Sequence, residues 1–174
     1  MKRINISIFI LILFASCSSD IFFTSPQPGF AEDLSEVPQE FQGTFADYGS
    51  YYVNEQGDTI SPDTTIHVLT DVTINGDTIN NGDLIVKSWG KYCFVNNKTE
   101  NGTWALKILH LQKMMSHEII SAQSVHTSVV DLTGFDFVED TASSTYTLDD
   151  VSVLQFHYLL RMSHKNKKEI ERLK

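Results

Sequence analysis

Asp71, Thr73 and Asn75 alternate ahead of Gly76, as oxygen ligands do at the opening of a calcium-binding loop. Such a loop needs a bidentate Glu where this chain has Gly82, so the pattern fails and an alternating strand explains the residues better. Asp77, Asn81 and Asp83 offer a looser set of oxygens, and turn chemistry accounts for the same residues. His110, His117 and His126 follow one another around a turn at Lys113-Met114, but no pair stands in a HExxH frame. There is no G-x-S-x-G elbow and no glycine-rich phosphate loop. Glu139-Asp140 and Asp149-Asp150 are adjacent pairs. On a strand their side chains point to opposite faces, and at a helix start they cap. Tyr48, Tyr51, Tyr52, Trp89 and Tyr92 lie near turns, where flat rings suit either core packing or a sugar or peptide. The sequons at Asn97 and Asn101 read as polar turns. No frame for catalysis, metal or cofactor emerges, and the expectation is a non-enzymatic protein without a cofactor.

The two thiols carry the remaining chemistry. Cys93 sits in the apolar "KYCFVN", the setting of a buried inert thiol. Cys17 closes a different kind of stretch. Lys2 and Arg3 give a basic start, Ile4 to Phe14 are mostly apolar, and Ala15-Ser16 offer small side chains to a protease. That is a signal-peptide layout, and the run falls well short of the ~20 residues that span a bilayer. Phe14-Ala15-Ser16-Cys17 resembles the lipobox of bacterial lipoproteins, with Phe14 where that motif usually has Leu. The resemblance implies cleavage before Cys17, a diacylglycerol thioether on its sulfur and a further acyl chain, such as palmitate, on the new amine. Two or more chains give stable anchoring, at about 0.8 kcal/mol per buried methylene. Ser18 after the Cys resembles lipoproteins sent to the outer membrane. Cys93 then has no disulfide partner within its own chain.

The chain has 174 residues, with 13 basic and 22 acidic side chains. No Lys or Arg occurs between Ile4 and Val86, a stretch with twelve carboxylates, whereas the last fourteen residues carry six bases and two acids. An acidic field of this kind disfavours a nucleic-acid partner. The expected partners are a membrane, through the lipid, and a protein or glycan.

These features need elements to position them, and the pattern is β. Ile66, Val68, Thr70, Val72 and Ile74 alternate with His67, Asp71 and Thr73. Asn75-Gly76 then supplies a hairpin turn, and Asn81-Gly82 and Asn101-Gly102 mark further turns. "TWALKILHLQ" switches face between Leu106 and Leu109, which predicts a bulge near Lys107. "HEIIS" reads as a strand, residues 122–133 are ambiguous between helix and strand, and Phe135 to Val138 pairs with Thr145 to Leu148. Residues 150–163 read as a helix with Asp149 as N-cap.

The expected organisation is a signal peptide over 1–16, a lipid-anchored, Pro-containing tether over 17–36, a β-rich domain over 37–163 and a basic tail over 164–174 that frays. Extended, the tether spans about 60 Å, so the domain would stand off the membrane. The fold class is mainly β: an antiparallel meander forming a small barrel, half-barrel or sandwich, with a short C-terminal helix.

"SPQP", "VPQEFQGTF" and "GKYCFVNNKTENGTW", with Tyr146 and Phe156 beyond, resemble a group of small lipoproteins common in Bacteroidota. That resemblance implies a Pro-containing tether, a β-rich domain and a short terminal helix, with no residue role beyond lipid attachment at Cys17. "FQGTF" at Phe41 to Phe45 is weakly similar to the first-strand Gly-x-Trp motif of lipocalins, with Phe45 in the place of Trp. It implies the alternative of a carrier for a small apolar ligand. The leading expectation is a lipid-anchored envelope protein that acts as a binding module.

Overall fold

Hairpins need turns with positive φ, and Asn75-Gly76 supplies one at 53° and 94°. The computed structural model describes residues 20–47, 52–53, 59–60, 64–114, 117–127, 130–164 and 167–172. Cys17, the expected signal peptide over 1–16, Tyr48 and Tyr51 lie outside them. The chain opens with β1 (Ile21–Phe23), makes a single 3-10 turn at Gln39–Phe41, and continues through β2 (Gly43–Asp47), β3 (Tyr52–Val53) and β4 (Thr59–Ile60). Next come β5 (Thr65–Leu69), β6 (Thr73–Ile74), β7 (Asp77–Thr78), β8 (Leu84–Trp89) and β9 (Tyr92–Lys98). The long β10 (Trp104–Met114) and β11 (His117–Ser124) form the next hairpin, followed by β12 (Asp136–Asp140) and β13 (Thr145–Asp149). The helix α1 (Val153–Ser163) and β14 (Lys167–Arg172) complete it.

The fold is mainly β with one C-terminal helix, and the sheet does not close into a barrel. Its main path runs β12-β13-β1-β10-β11-β14-β2-β5-β6-β7, and the β8–β9 hairpin joins the other edge of β10. All pairs are antiparallel except β1 with β13, so the sheet is not a simple meander. One edge of β10 is shared: Trp104 and Ala105 pair with β1, and Lys107 to Met114 pair with β11.

The sheet carries an apolar core on each face. Phe45, Leu69, Leu84, Val86, Cys93, Val95 and Leu109 meet on the concave side. Phe23, Phe94, Leu106, Ile108 and Leu148 meet Phe156 and Leu159 of α1 on the other. This explains β10. No bulge interrupts it, because its register with both β9 and β11 is continuous. Leu106 and Ile108 face the helix while Leu109 faces the concavity, so burial on both sides produces the apolar run that reads as a change of face.

Four other expectations change. The tether is not a tether: Phe23 is fully buried, and β1 lies inside the sheet between β10 and β13. The Pro-containing stretch after it is pinned to the domain. Asn96 exchanges two hydrogen bonds with the backbone of Gln27, at 2.7 and 2.8 Å. The buried Lys87 donates to the Ala31 carbonyl at 2.7 Å and pairs with Asp33 at 2.8 Å. The domain therefore begins by Asp20 rather than Val37.

The basic tail does not fray, because β14 finds ladder partners on both sides, in β11 and β2. In β5, Ile66 and Val68 are 49% and 41% exposed, and Leu69 with half-buried His67 turns inward. Pairing sets that parity, since Phe45 of β2 lies opposite His67 and points into the core. Finally, Ser152 rather than Asp149 caps α1. Its Oγ accepts from Gln155 N, and the Gln155 side chain accepts from Ser152 N in return. Residues 125–135, where described, form neither helix nor strand.

Candidate functional site

The concave side of the sheet holds a recess of about 120 Å³. Its floor is apolar, made by Phe45, Leu69, Leu84, Val95 and Leu109, all buried. Its rim is polar, made by His67, Asn75, Asp77, Asn97 and Lys107. Strand geometry brings these together from six strands and one turn. Alternation puts Val95 and Asn97 on one face of β9, and Lys107 and Leu109 on the matching face of β10. The β6–β7 hairpin leans its Asn75 turn over the same opening.

Asn75 is held in place by its own strand neighbours. Its Oδ1 accepts the Val68 N–H at 2.9 Å, and its Nδ2 lies 3.3 Å from His67 Nδ1. With the amide donating, Nδ1 is the acceptor and the imidazole proton sits on Nε2. The rim thus offers a cation at Lys107, a carboxylate at Asp77 and amides of both polarities, above an apolar floor. That arrangement is complementary to an amphipathic group. Among its described lining residues no Ser, Cys or Thr stands next to a base.

A second polar cluster ties α1 to the sheet. Tyr92 Oη lies 2.9 Å from His164 Nε2, and Gln123 Nε2 lies 3.1 Å from His164 Nδ1. Ser163 Oγ reaches Gln123 Oε1 and the Leu160 carbonyl, each at 2.9 Å. The ring of His110 packs on Tyr92 with centroids 5.0 Å apart. Burial raises the Tyr92 hydroxyl above its ordinary pKa. Ser163, Ser121 and Gln123 are sealed from solvent, so no substrate reaches them. The cluster satisfies buried polar groups where a helix end meets a strand.

The remaining sequence candidates fall in separate places. Cys93 is buried in the concave core, and burial, with the charge of Glu40, pushes its thiol up to about 12. His126 pairs with Asp20 at 2.9 Å. His110 is not opposite His117, because Met114 is the partner of His117 across the turn. Asn81 Oδ1 accepts the N–H groups of Asp83 and Leu84, so it works as a turn residue. Among the described residues no three His, Cys, Asp or Glu converge as metal ligands. Asp140 is drawn below the usual carboxylate range by the Ser143 hydroxyl and the Ala142 N–H. Trp89 is exposed and stacks on His157 at 4.7 Å. The recess itself was not visible in sequence. His67 read as lying opposite the apolar face of its strand and Asn97 as part of a sequon, and no local signal told which face turns in.

No protein family, curated protein or solved structure matches this chain. No described helix is long and apolar enough to cross a membrane.

Proposed function

We propose that this chain is a lipid-anchored protein of the bacterial cell envelope, held in the outer membrane through Cys17, whose β-rich domain is a non-enzymatic binding module. The anchor rests on the basic start, the apolar run and the small residues before Cys17. The resemblance to Bacteroidota lipoproteins belongs to the same reading.

The size of the recess carries the binding part. A dry cavity of ~150 Å³ holds one benzene ring, and small-molecule sites begin near ~300 Å³. At about 120 Å³ the recess takes one protruding group rather than a whole ligand. That favours a larger partner, a protein or a glycan, which inserts a side chain or a ring edge. The same volume weighs against a carrier of long apolar molecules.

Two experiments test this reading. Membrane fractionation of wild type beside Cys17→Ala is expected to release the variant into the soluble fraction, and equal fractionation removes the anchor. Amide shifts are then followed by NMR while short acetylated peptides and monosaccharides are added. Shifts confined to Leu69, Val95 and Leu109, and lost in Lys107→Glu, are the expected result. Saturable binding of a long-chain fatty acid at the same amides would instead establish the carrier.

A further inference from the structure

We propose that the concave recess captures the C-terminus of a polypeptide whose last residue is apolar, with the carboxylate on Lys107 and the side chain on the buried floor. This rests on the reading of the recess as a binding site and names its partner.

The rim carries uncommitted polar groups. Lys107 is the one Lys or Arg among the described residues that line the recess, and its side chain is exposed. Among the described residues it makes no ion pair and no side-chain hydrogen bond. The same holds for the exposed side chains of Asp77 and Asn97. Opposite charges thus line one opening without neutralising each other, whereas Lys87 elsewhere on the sheet is closed off by Asp33 at 2.8 Å.

The cation and the apolar floor are neighbours. Lys107 and Leu109 share one face of β10, about 7 Å apart along the strand, and Val95 of the floor lies opposite Lys107 on β9. At about 120 Å³ there is room for one group, so a single residue must supply both an apolar side chain and an anion. A residue within a chain offers only a neutral carbonyl to Lys107. A C-terminal residue carries its side chain and its carboxylate on the same α-carbon, and its N–H faces the acceptors Asp77 and Asn97. Both contacts are charge-assisted. A sugar acid also brings an anion, but its hydroxyls would lie unpaired against Leu69, Leu84 and Val95.

The rest of the chain has a place to run. β7, which carries Asp77, is the last strand on its side of the sheet, and both of its residues are exposed. Among the described strands it pairs only with β6, so its outer edge is open to an added extended segment. That edge favours a polypeptide over a free amino acid, whose charges would pair at an exposed rim and gain little.

The full-length protein in detergent is titrated into a fluorescein-labelled peptide, Gly-Ser-Ala-Leu with a free C-terminal carboxylate, and anisotropy is read. The same peptide with a C-terminal amide is expected to bind at least threefold more weakly. Lys107→Gln is expected to weaken the acid at least threefold and to leave the amide form unchanged, and Lys107→Arg to keep the preference for the acid. Equal binding of acid and amide overturns recognition of the terminus and leaves the recess as a side-chain site. Free leucine that competes as well as unlabelled peptide overturns the polypeptide partner. Absence of binding by peptides ending in Leu, Val and Phe overturns the proposal, and the titrations with acetylated peptides and monosaccharides then decide separately whether the recess binds at all.

Discussion

Asn96 shows how one side chain can hold a segment in place. It is fully buried on β9, and it treats Gln27 as a strand would, accepting from its N–H and donating to its carbonyl. Truncation leaves both backbone groups buried and unpaired. Asn96→Ala is therefore expected to cost about 2–4 kcal/mol, read as a lower urea midpoint. Two positions earlier on the same face as Val95 lies Cys93, whose thiol is held neutral up to about 12. Iodoacetamide at pH 8 is expected to leave it unmodified in the native protein and to alkylate it in urea. The sign of its linkage follows. The raised pKa contributes stability that is complete below the ordinary thiol value of 9.0 and is lost as pH rises towards about 12. The thiol was legible in sequence, because its apolar neighbours speak for themselves. Asn96 was not, because its partner is 69 residues away and a pair of asparagines ahead of a turn looks like turn chemistry.

At the scale of elements, α1 depends on its cap and on one ring. Ser152→Ala removes the reciprocal cap with Gln155 and is expected to cost about 1 kcal/mol. Phe156→Ala empties the contact of the helix with Phe94 and Phe30, at centroid distances of 5.4 and 5.8 Å, and is expected to cost about 3–5 kcal/mol. Thermal unfolding of the two variants side by side checks the ratio. The helix, the Asn75-Gly76 hairpin, the strand at "HEIIS" and the pairing of β12 with β13 were all legible, because periodicity and turn residues are local signals. What was not legible was the face each strand would bury. In β5 the more apolar side faces outward, since pairing with β2 turns Leu69 towards Phe45. In β10 both faces are buried, and a pattern without alternation cannot tell that from a bulge.

Over the whole molecule, the ends of the described chain are its least dispensable parts. Deleting residues 20–24 removes β1 from between β10 and β13 and takes Phe23 out of the core. The expected result is loss of the folded state, seen as collapsed amide dispersion by NMR. A true tether would tolerate the same deletion. Truncation after His164 removes β14 from between β11 and β2 and is expected to do the same. Neither end was legible as a strand. Prolines follow β1 closely, and β14 is a run of Lys and Glu around Ile170. Their partners stand up to 125 positions distant: Tyr146 for Ile21, Ala46 for Glu171. This placement of β14 has a bearing on biogenesis. Residues 43–47 and 117–124 wait for a strand that emerges only when synthesis reaches residue 172. A nascent chain of this design cannot complete its sheet early. It stays threadable until translation is nearly over, a state that suits the export proposed above, and the long-range closure that follows is a slow, late folding step.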